Sequence, residues 1–219
     1  MLKAIIFDLD GTLCDTIGDL RIAMNAMLRS FGWRERSREE LLRFINRGAR
    51  MFVAQSMPEG SWQTVDDDVV TAALEKYNEC YAECIGTDCR PFDGMSEALD
   101  VLRAKYKLGV LSNKQHPFVR RIIDSTFPGV FTSAHGDEAG RPRKPDPRSL
   151  DRLTSEIGVL PEECALVGDS DIDMLTANNA GMLPVGVLWG YRDRAVLEEA
   201  GAKLLVAEPR ELITALSGK

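Results

Sequence analysis

Histidine is nearly absent: His116 and His135 are the only two in 219 residues, and neither has a second histidine or a cysteine at ligand spacing. A zinc site and a Ser-His-Asp triad are therefore not expected. Cysteine is sparse as well. Cys14, Cys80, Cys84, Cys89 and Cys164 make an odd number without a C-x-x-C pair, which argues for reduced thiols and a cytoplasmic location rather than a disulfide framework. Cys80 and Cys84, four apart on an expected helix, read as small apolar filler. The chain contains no G-x-G-x-x-G, no G-x-x-x-x-G-K-[ST] and no G-x-S-x-G, so the usual signatures of dinucleotide binding, P-loop NTPases and α/β-hydrolases are missing. No run approaches the ~20 apolar residues of a membrane span, and the apolar stretch before Asp8 is too short for a signal-peptide core. Basic runs long enough to follow a phosphate backbone are lacking too. With 27 Lys plus Arg against 34 Asp plus Glu, net charge −7, neither nucleic acid nor membrane is an expected partner.

What remains for chemistry is carboxylate, hydroxyl and lysine, set in a composition (44% hydrophobic, 28% charged) typical of a soluble globular protein. Residues 2–8, with Ala4 to Phe7 apolar throughout, have the pattern of a strand buried on both faces, as in parallel sheets. From about residue 91 short apolar runs at 107–112, around 130–134, 164–168, 183–188 and 203–206 alternate with helical patterns. Those helices are expected at 94–105, 117–125, 147–158, 171–180, 193–200 and 209–217. Repeated βα units of this kind predict a doubly wound parallel sheet, a Rossmann-like α/β core.

Residues 15–88 interrupt the alternation, since every periodic stretch there is helical. Val69, Val70, Ala73, Leu74, Tyr77, Tyr81, Cys84 and Ile85 share one face, a second helix spans Ile22 to Phe31, and shorter ones are expected at 38–45 and 49–57. The expected organisation is a core of 1–14 and 89–219 with an all-helical cap, 15–88, inserted after the first strand and over the carboxyl ends of the strands, where such sheets bind ligands.

Acidic residues gather at those ends. Asp8 and Asp10 follow the first strand at a spacing that in extended chain sends both carboxylates to one side, about 7 Å apart. Gly11 permits a tight turn there and Thr12 adds a hydroxyl. Asp169, Ser170, Asp171 and Asp173 follow the strand at 164–168, with Asp169 and Asp173 four apart and thus expected on one helical face. Ser112, Asn113 and Lys114 end another strand, and Lys144 stands between Arg143 and Pro145 ahead of a helix that Pro147 can begin. Taken singly, each group reads equally well as a solvated turn, a helix cap or a surface lysine. Together, Asp8, Asp10, Asp169 and Asp173 would repel by ~4 kcal/mol per close pair at an effective dielectric near 20 unless a cation sits among them. Oxygen ligands without histidine favour a hard cation, most simply Mg²⁺. That metal with Lys144 and Ser112 suits a doubly charged anion such as phosphate, and a carboxylate facing phosphorus can act as a nucleophile.

In order and spacing, Asp8-Leu9-Asp10-Gly11-Thr12-Leu13, Ser112-Asn113, Lys144-Pro145 and Gly168-Asp169-Ser170-Asp171-Ile172-Asp173 resemble the four motifs of the haloacid dehalogenase superfamily. The helical insertion resembles that family's first type of cap, and the tail around Gly186 to Arg192 resembles phosphoglycolate phosphatase-like members. The resemblance implies that Asp8 is the nucleophile of an aspartyl-phosphate mechanism. Asp10 would be the acid and base, and Ser112, the Asn113 backbone and Lys144 would bind the phosphoryl oxygens, with Thr12 beside them. Mg²⁺ would be held by Asp8, the Asp10 carbonyl and Asp169, with Asp173 in or just behind that set. The implied activity is hydrolysis of a phosphate monoester of a small phosphorylated metabolite, phosphoglycolate among them. Asp10, absent from family dehalogenases, favours phosphate over halide chemistry. Two positions depart from the related phosphatases, Asn46-Arg47-Gly48 for Gly-x-Gly and Asp146 for histidine. Arg47 and Arg50 are either contacts for an anionic leaving group or solvated helix residues. Inorganic pyrophosphatase and sugar-phosphate mutase use the same core residues. A receiver-type phospho-acceptor domain is disfavoured because Asp8 ends the first strand and a helical insertion follows it. The oligomeric state is left open.

Overall fold

The computed structural model describes residues 1–64 and 66–219. The chain divides into two compact units, one of residues Met1–Asp15 with Pro91–Lys219 and the other of residues Thr16–Arg90. Short strands β2 (Cys14–Asp15) and β3 (Arg90–Pro91) lie where the chain passes from one unit to the other.

In the first unit, β1 (Ala4–Phe7), β4 (Lys107–Gln115), β5 (Ser133–Asp137), β6 (Cys164–Gly168), β7 (Leu183–Val187) and β8 (Leu204–Val206) form one parallel sheet in the order β5-β4-β1-β6-β7-β8. All four residues of β1 are fully buried, as expected for a central strand with helices on both sides. Ile6 packs with Leu153, Ile157, Leu166 and Ala177 in a cluster on one face of the sheet. Gly109 pairs with it in register and leaves room for these side chains: a Cβ there would stand 2.8 Å from Ile157 Cδ1 and 3.0 Å from Ile6 Cδ1. The strand order changes direction at β1, so the carboxyl ends of β1, β4 and β6 flank the crevice where such sheets bind ligands.

Three local expectations are corrected. The strand expected around 130–134 is β5, at Ser133–Asp137, because Val130 and Phe131 lie in the turn leading to it. The helix expected at 147–158 is a 3₁₀ turn, Pro147–Leu150, followed by an α-helix, Asp151–Ile157. Asp146 caps the start of that turn by accepting the Arg148 N–H at 3.0 Å, and the α-helix follows directly from Leu150. β4 also continues past residue 112 to Gln115, carrying Ser112, Asn113 and Lys114 inside the strand.

The second unit holds α1 (Ile17–Ser30), α2 (Arg38–Phe44), α3 (Ala49–Ser56) and α4 (Asp68–Cys84). Tyr77 and Tyr81 on α4 stack 5.8 Å apart, with Phe52 of α3 edge-on to Tyr77. Buried Asp19 accepts the Gly86 and Asp88 N–H groups, both at 2.6 Å, tying the end of the unit back onto α1. Among the described residues no helix is long and apolar enough to cross a membrane, and no cysteine is in a disulfide.

Candidate active site

Every expected core residue comes to the carboxyl ends of β1, β4 and β6. After β1 the chain turns sharply, the N–H groups of Leu13 and Cys14 both reaching back to the Leu9 carbonyl. Gly11 makes the turn at φ +85°, and a Cβ on it would stand 2.3 Å from Asp169 Oδ2. Gly190 closes the other side, since its Cβ would lie 2.2 Å from Asp169 Cβ. Only glycine fits at these two positions, so the backbone walls in the Asp169 carboxylate. The Tyr191 N–H donates to Asp169 Oδ2 at 2.7 Å and the Thr12 hydroxyl approaches Oδ1 at 3.5 Å.

Asp169 and Asp173 do not share a helical face. Ser170 is extended (φ −129°, ψ 161°) and serves as N-cap of the helix Asp171–Ala180, which puts Asp169 in the preceding loop and Asp173 in the first turn. A capping box closes between them. The Asp173 N–H donates to Ser170 Oγ, and Asp173 Oδ2 accepts the Ser170 N–H at 3.1 Å and hydroxyl at 2.5 Å. The strand-to-helix turn brings the two carboxylates together where helical periodicity would not.

Lys144 Nζ bridges Asp8 Oδ1 at 2.7 Å and Asp173 Oδ1 at 2.6 Å. Its carbonyl accepts the Asn113 side-chain N–H at 3.0 Å, fixing the loop to β4. Lys114, which the sequence reading passed over as a site residue, is the second cation: its Nζ lies 2.8 Å from Asp10 Oδ1. Both ammonium groups are at least nine-tenths buried. The signal for Lys114 was its place two residues beyond Ser112 on one strand, a spacing that returns side chains to the same face. Trp189 was missed as well; its indole N–H donates to the Thr12 carbonyl at 3.0 Å, pinning the turn after β1.

The electrostatics of the site favour binding of a cation. Four buried carboxylates, Asp8, Asp10, Asp169 and Asp173, face two buried ammonium groups, leaving two negative charges in excess. Burial lifts the Asp8 carboxyl to about 7, against the pull of Lys144 and with the push of Asp173 and Asp10. Burial also raises Asp169 well above the carboxylate range, helped by Asp173 and Asp8. For Lys144, burial works downward, but the carboxylates of Asp173 and Asp8 outweigh it and raise the ammonium above its ordinary value. Asp8, Asp169 and Asp173 each offer an oxygen within 4.8 Å of the others. A divalent cation fits this all-oxygen donor set in charge and in type.

In the other unit the two expected arginines differ. Arg50 is half-buried, donating to Thr71 Oγ1 at 2.9 Å and lying 3.5 Å from Asp66 Oδ1. Arg47 is exposed, next to Asn46, which has a positive φ of 84°.

Residues 5–187 match the family model of the haloacid dehalogenase-like hydrolases. The chain is 31% identical over 216 residues to phosphoglycolate phosphatase 1 of Pseudomonas aeruginosa, covering 96% of this chain and 78% of the relative. It is 32% identical to the phosphoglycolate phosphatase of Xylella fastidiosa, over 87% of this chain and 82% of that protein. A solved phosphoglycolate phosphatase candidate from Lactobacillus delbrueckii subsp. bulgaricus superposes with a TM-score of 0.90 at 32% identity, covering 99% of both chains. A haloacid dehalogenase-like hydrolase from Streptococcus pneumoniae shares the fold, with a TM-score of 0.87 at 20% identity over 99% of both chains. On motif geometry, family match and relatives alike, the chain belongs to the haloacid dehalogenase-like hydrolases.

Proposed function

We propose that this chain, a phosphatase by its family and relatives, hydrolyses the phosphate monoester of a small metabolite through a phosphoryl group carried on Asp8. The observation that supports the reading most is the pairing of each buried ammonium with a different aspartate of the first motif, Lys144 with Asp8 and Lys114 with Asp10. The two carboxylates thus sit in separate electrostatic settings, as two separate tasks demand.

In the first step an Asp8 oxygen attacks phosphorus while the bond from phosphorus to the ester oxygen breaks, and Asp10 gives its proton to that leaving oxygen. In the second step Asp10, now a carboxylate, takes a proton from water as the water oxygen attacks phosphorus. The bond to Asp8 breaks, inorganic phosphate leaves, and both aspartates return to their starting states. Ser112, the Asn113 backbone, Thr12 and Lys144 hold the phosphoryl oxygens, and Lys144 also restrains Asp8. Asp8, Asp169, Asp173 and the Asp10 carbonyl are the residues that would hold Mg²⁺, which when bound offsets the excess negative charge and polarises the phosphoryl group. The Asp10 carboxylate is engaged by Lys114, in keeping with a main-chain role toward the metal.

The relatives favour phosphoglycolate as substrate. Arg47, exposed in the Thr16–Arg90 unit, is the cap residue offered for an anionic leaving group, whereas Arg50 is tied to Thr71 and Asp66. The chemistry fits a cytoplasmic enzyme whose partner is a small phosphorylated metabolite rather than nucleic acid or membrane. The test is a panel of small phosphate esters assayed with Mg²⁺. Turnover of at least one ester is expected, and failure on every ester and on pyrophosphate would reject the reading.

A further inference from the structure

Among the buried charges of the core, Lys114 is the one that pairs with Asp10 yet is given no contact with the substrate or the metal in the two chemical steps. Its side chain is 5% exposed and its ammonium meets Asp10 Oδ1 at 2.8 Å. Burying such a pair in a protein interior costs about as much in lost hydration as the attraction returns, so stability alone is a poor reason for a lysine here. An aliphatic residue would fill the space at the end of β4 without that cost.

The position of Asp10 indicates what the charge is for. As the proton donor, Asp10 must come within hydrogen-bond distance of the leaving oxygen, which places Lys114 Nζ no more than about 8 Å from that oxygen. The other ammonium, Lys144, sits on the nucleophile side, bonded to Asp8 and Asp173. One cation therefore stands beside the nucleophile and the other beside the acid that meets the departing oxygen. We infer that Lys114 is a specificity residue that recognises an anionic leaving group, a carboxylate one carbon from the ester oxygen, from within the core. The inference rests on the phosphatase reading and on the short hydroxy-acid esters the relatives favour, and assigns the residue of that same site that selects them. The ammonium needs no large movement to serve it, because a carboxylate entering beside Asp10 shares the cation already there. β4 holds the lysine rigidly, since Lys114 N–H donates to Ser112 Oγ at 3.2 Å and its carbonyl packs so closely on Gly136 that a Cβ there would stand 2.4 Å away.

The experiment compares kcat/KM for phosphoglycolate and for propyl phosphate, similar in size with an uncharged leaving group, in the wild type and in Lys114→Met and Lys114→Arg. The wild type should prefer phosphoglycolate. Lys114→Met should shrink that preference between about 10- and 100-fold, the range of a charge-assisted hydrogen bond, and Lys114→Arg should restore most of it. Equal losses on both esters would reduce Lys114 to a support for Asp10 and overturn the inference, as would no loss on either. Should Lys114→Met not fold, the wild type and Lys114→Arg still decide: absence of a preference in the wild type, or its loss in the arginine variant, overturns the inference. Absence of turnover on any ester rejects the phosphatase reading itself, an outcome distinct from turnover without preference.

Discussion

Lys144 Nζ lies 2.7 Å from Asp8 Oδ1 although 136 positions separate the two in sequence. The same nitrogen bonds Asp173, so three of the four motifs meet at one atom. That convergence is what turns scattered strand-end residues into a site, and it makes the site's response to metal and to pH calculable in sign.

Hydrolysis is expected to require Mg²⁺, to stop in EDTA, and to be competed by Ca²⁺, whose larger and looser coordination disturbs in-line geometry. Asp169→Asn should raise the Mg²⁺ concentration needed for half-maximal activity by about 10-fold or more, comparable to losses at metal sites generally. A Mg²⁺ titration of both proteins checks this, and undiminished activity in chelator would contradict it.

The pH dependence of stability follows from Asp8. Its carboxyl is held near 7 in the metal-free fold against 3.8 as a free side chain. Between those values the folded state keeps a proton that the unfolded state has released, so Asp8 lowers stability as pH rises from about 4 to 7, with no further change above. Mg²⁺ binds the ionised form and must displace that proton at lower pH. The rise in Tm on adding Mg²⁺ should therefore be larger at pH 8 than at pH 6. Melting curves with Mg²⁺ and with EDTA across this range check the sign; an equal rise at every pH would contradict it.

Arg50 and Arg47 should separate. Arg50→Ala removes the bond to Thr71 and is expected to cost about 1 kcal/mol of stability, with similar small effects on charged and uncharged esters. Its ion pair with the exposed Asp66 adds little. Arg47→Ala should leave Tm unchanged and weaken turnover of phosphoglycolate more than that of propyl phosphate. Thermal melts and kcat/KM on both esters distinguish the two residues.

Much of this was legible in the sequence for physical reasons. Uninterrupted apolar runs ending in aspartate marked β1 and β6, because a strand buried on both faces can carry polar groups only at its end. Asp8 and Asp169 follow from that pattern, Ser112 from the end of another apolar strand, Asp173 from its spacing to Asp169, and Lys144 from its place before Pro145 ahead of a helix. Helix periodicity misled at Asp169, since Ser170 breaks the helix and the four-residue spacing to Asp173 spans a capping turn. Lys114 falls just past the strand expected at 107–112, whereas β4 runs through it to Gln115. Gly190 and Trp189 stand in the tail that carries the family resemblance, but nothing local shows their task, which comes from the close approach of a distant loop to Asp169 and Thr12.

The most direct test is to look for phosphate on Asp8. The purified protein is mixed with Mg²⁺ and its best ester, quenched in acid within the first turnover, and mapped by peptide mass spectrometry. Phosphate should be found on the peptide carrying Asp8 and nowhere else. Asp8→Asn should give no label and at least ~100-fold slower turnover while melting as a folded protein. An unlabelled Asp8 in a protein that turns over, together with an Asp8→Asn variant that keeps more than a tenth of the wild-type rate, would contradict covalent catalysis at this residue.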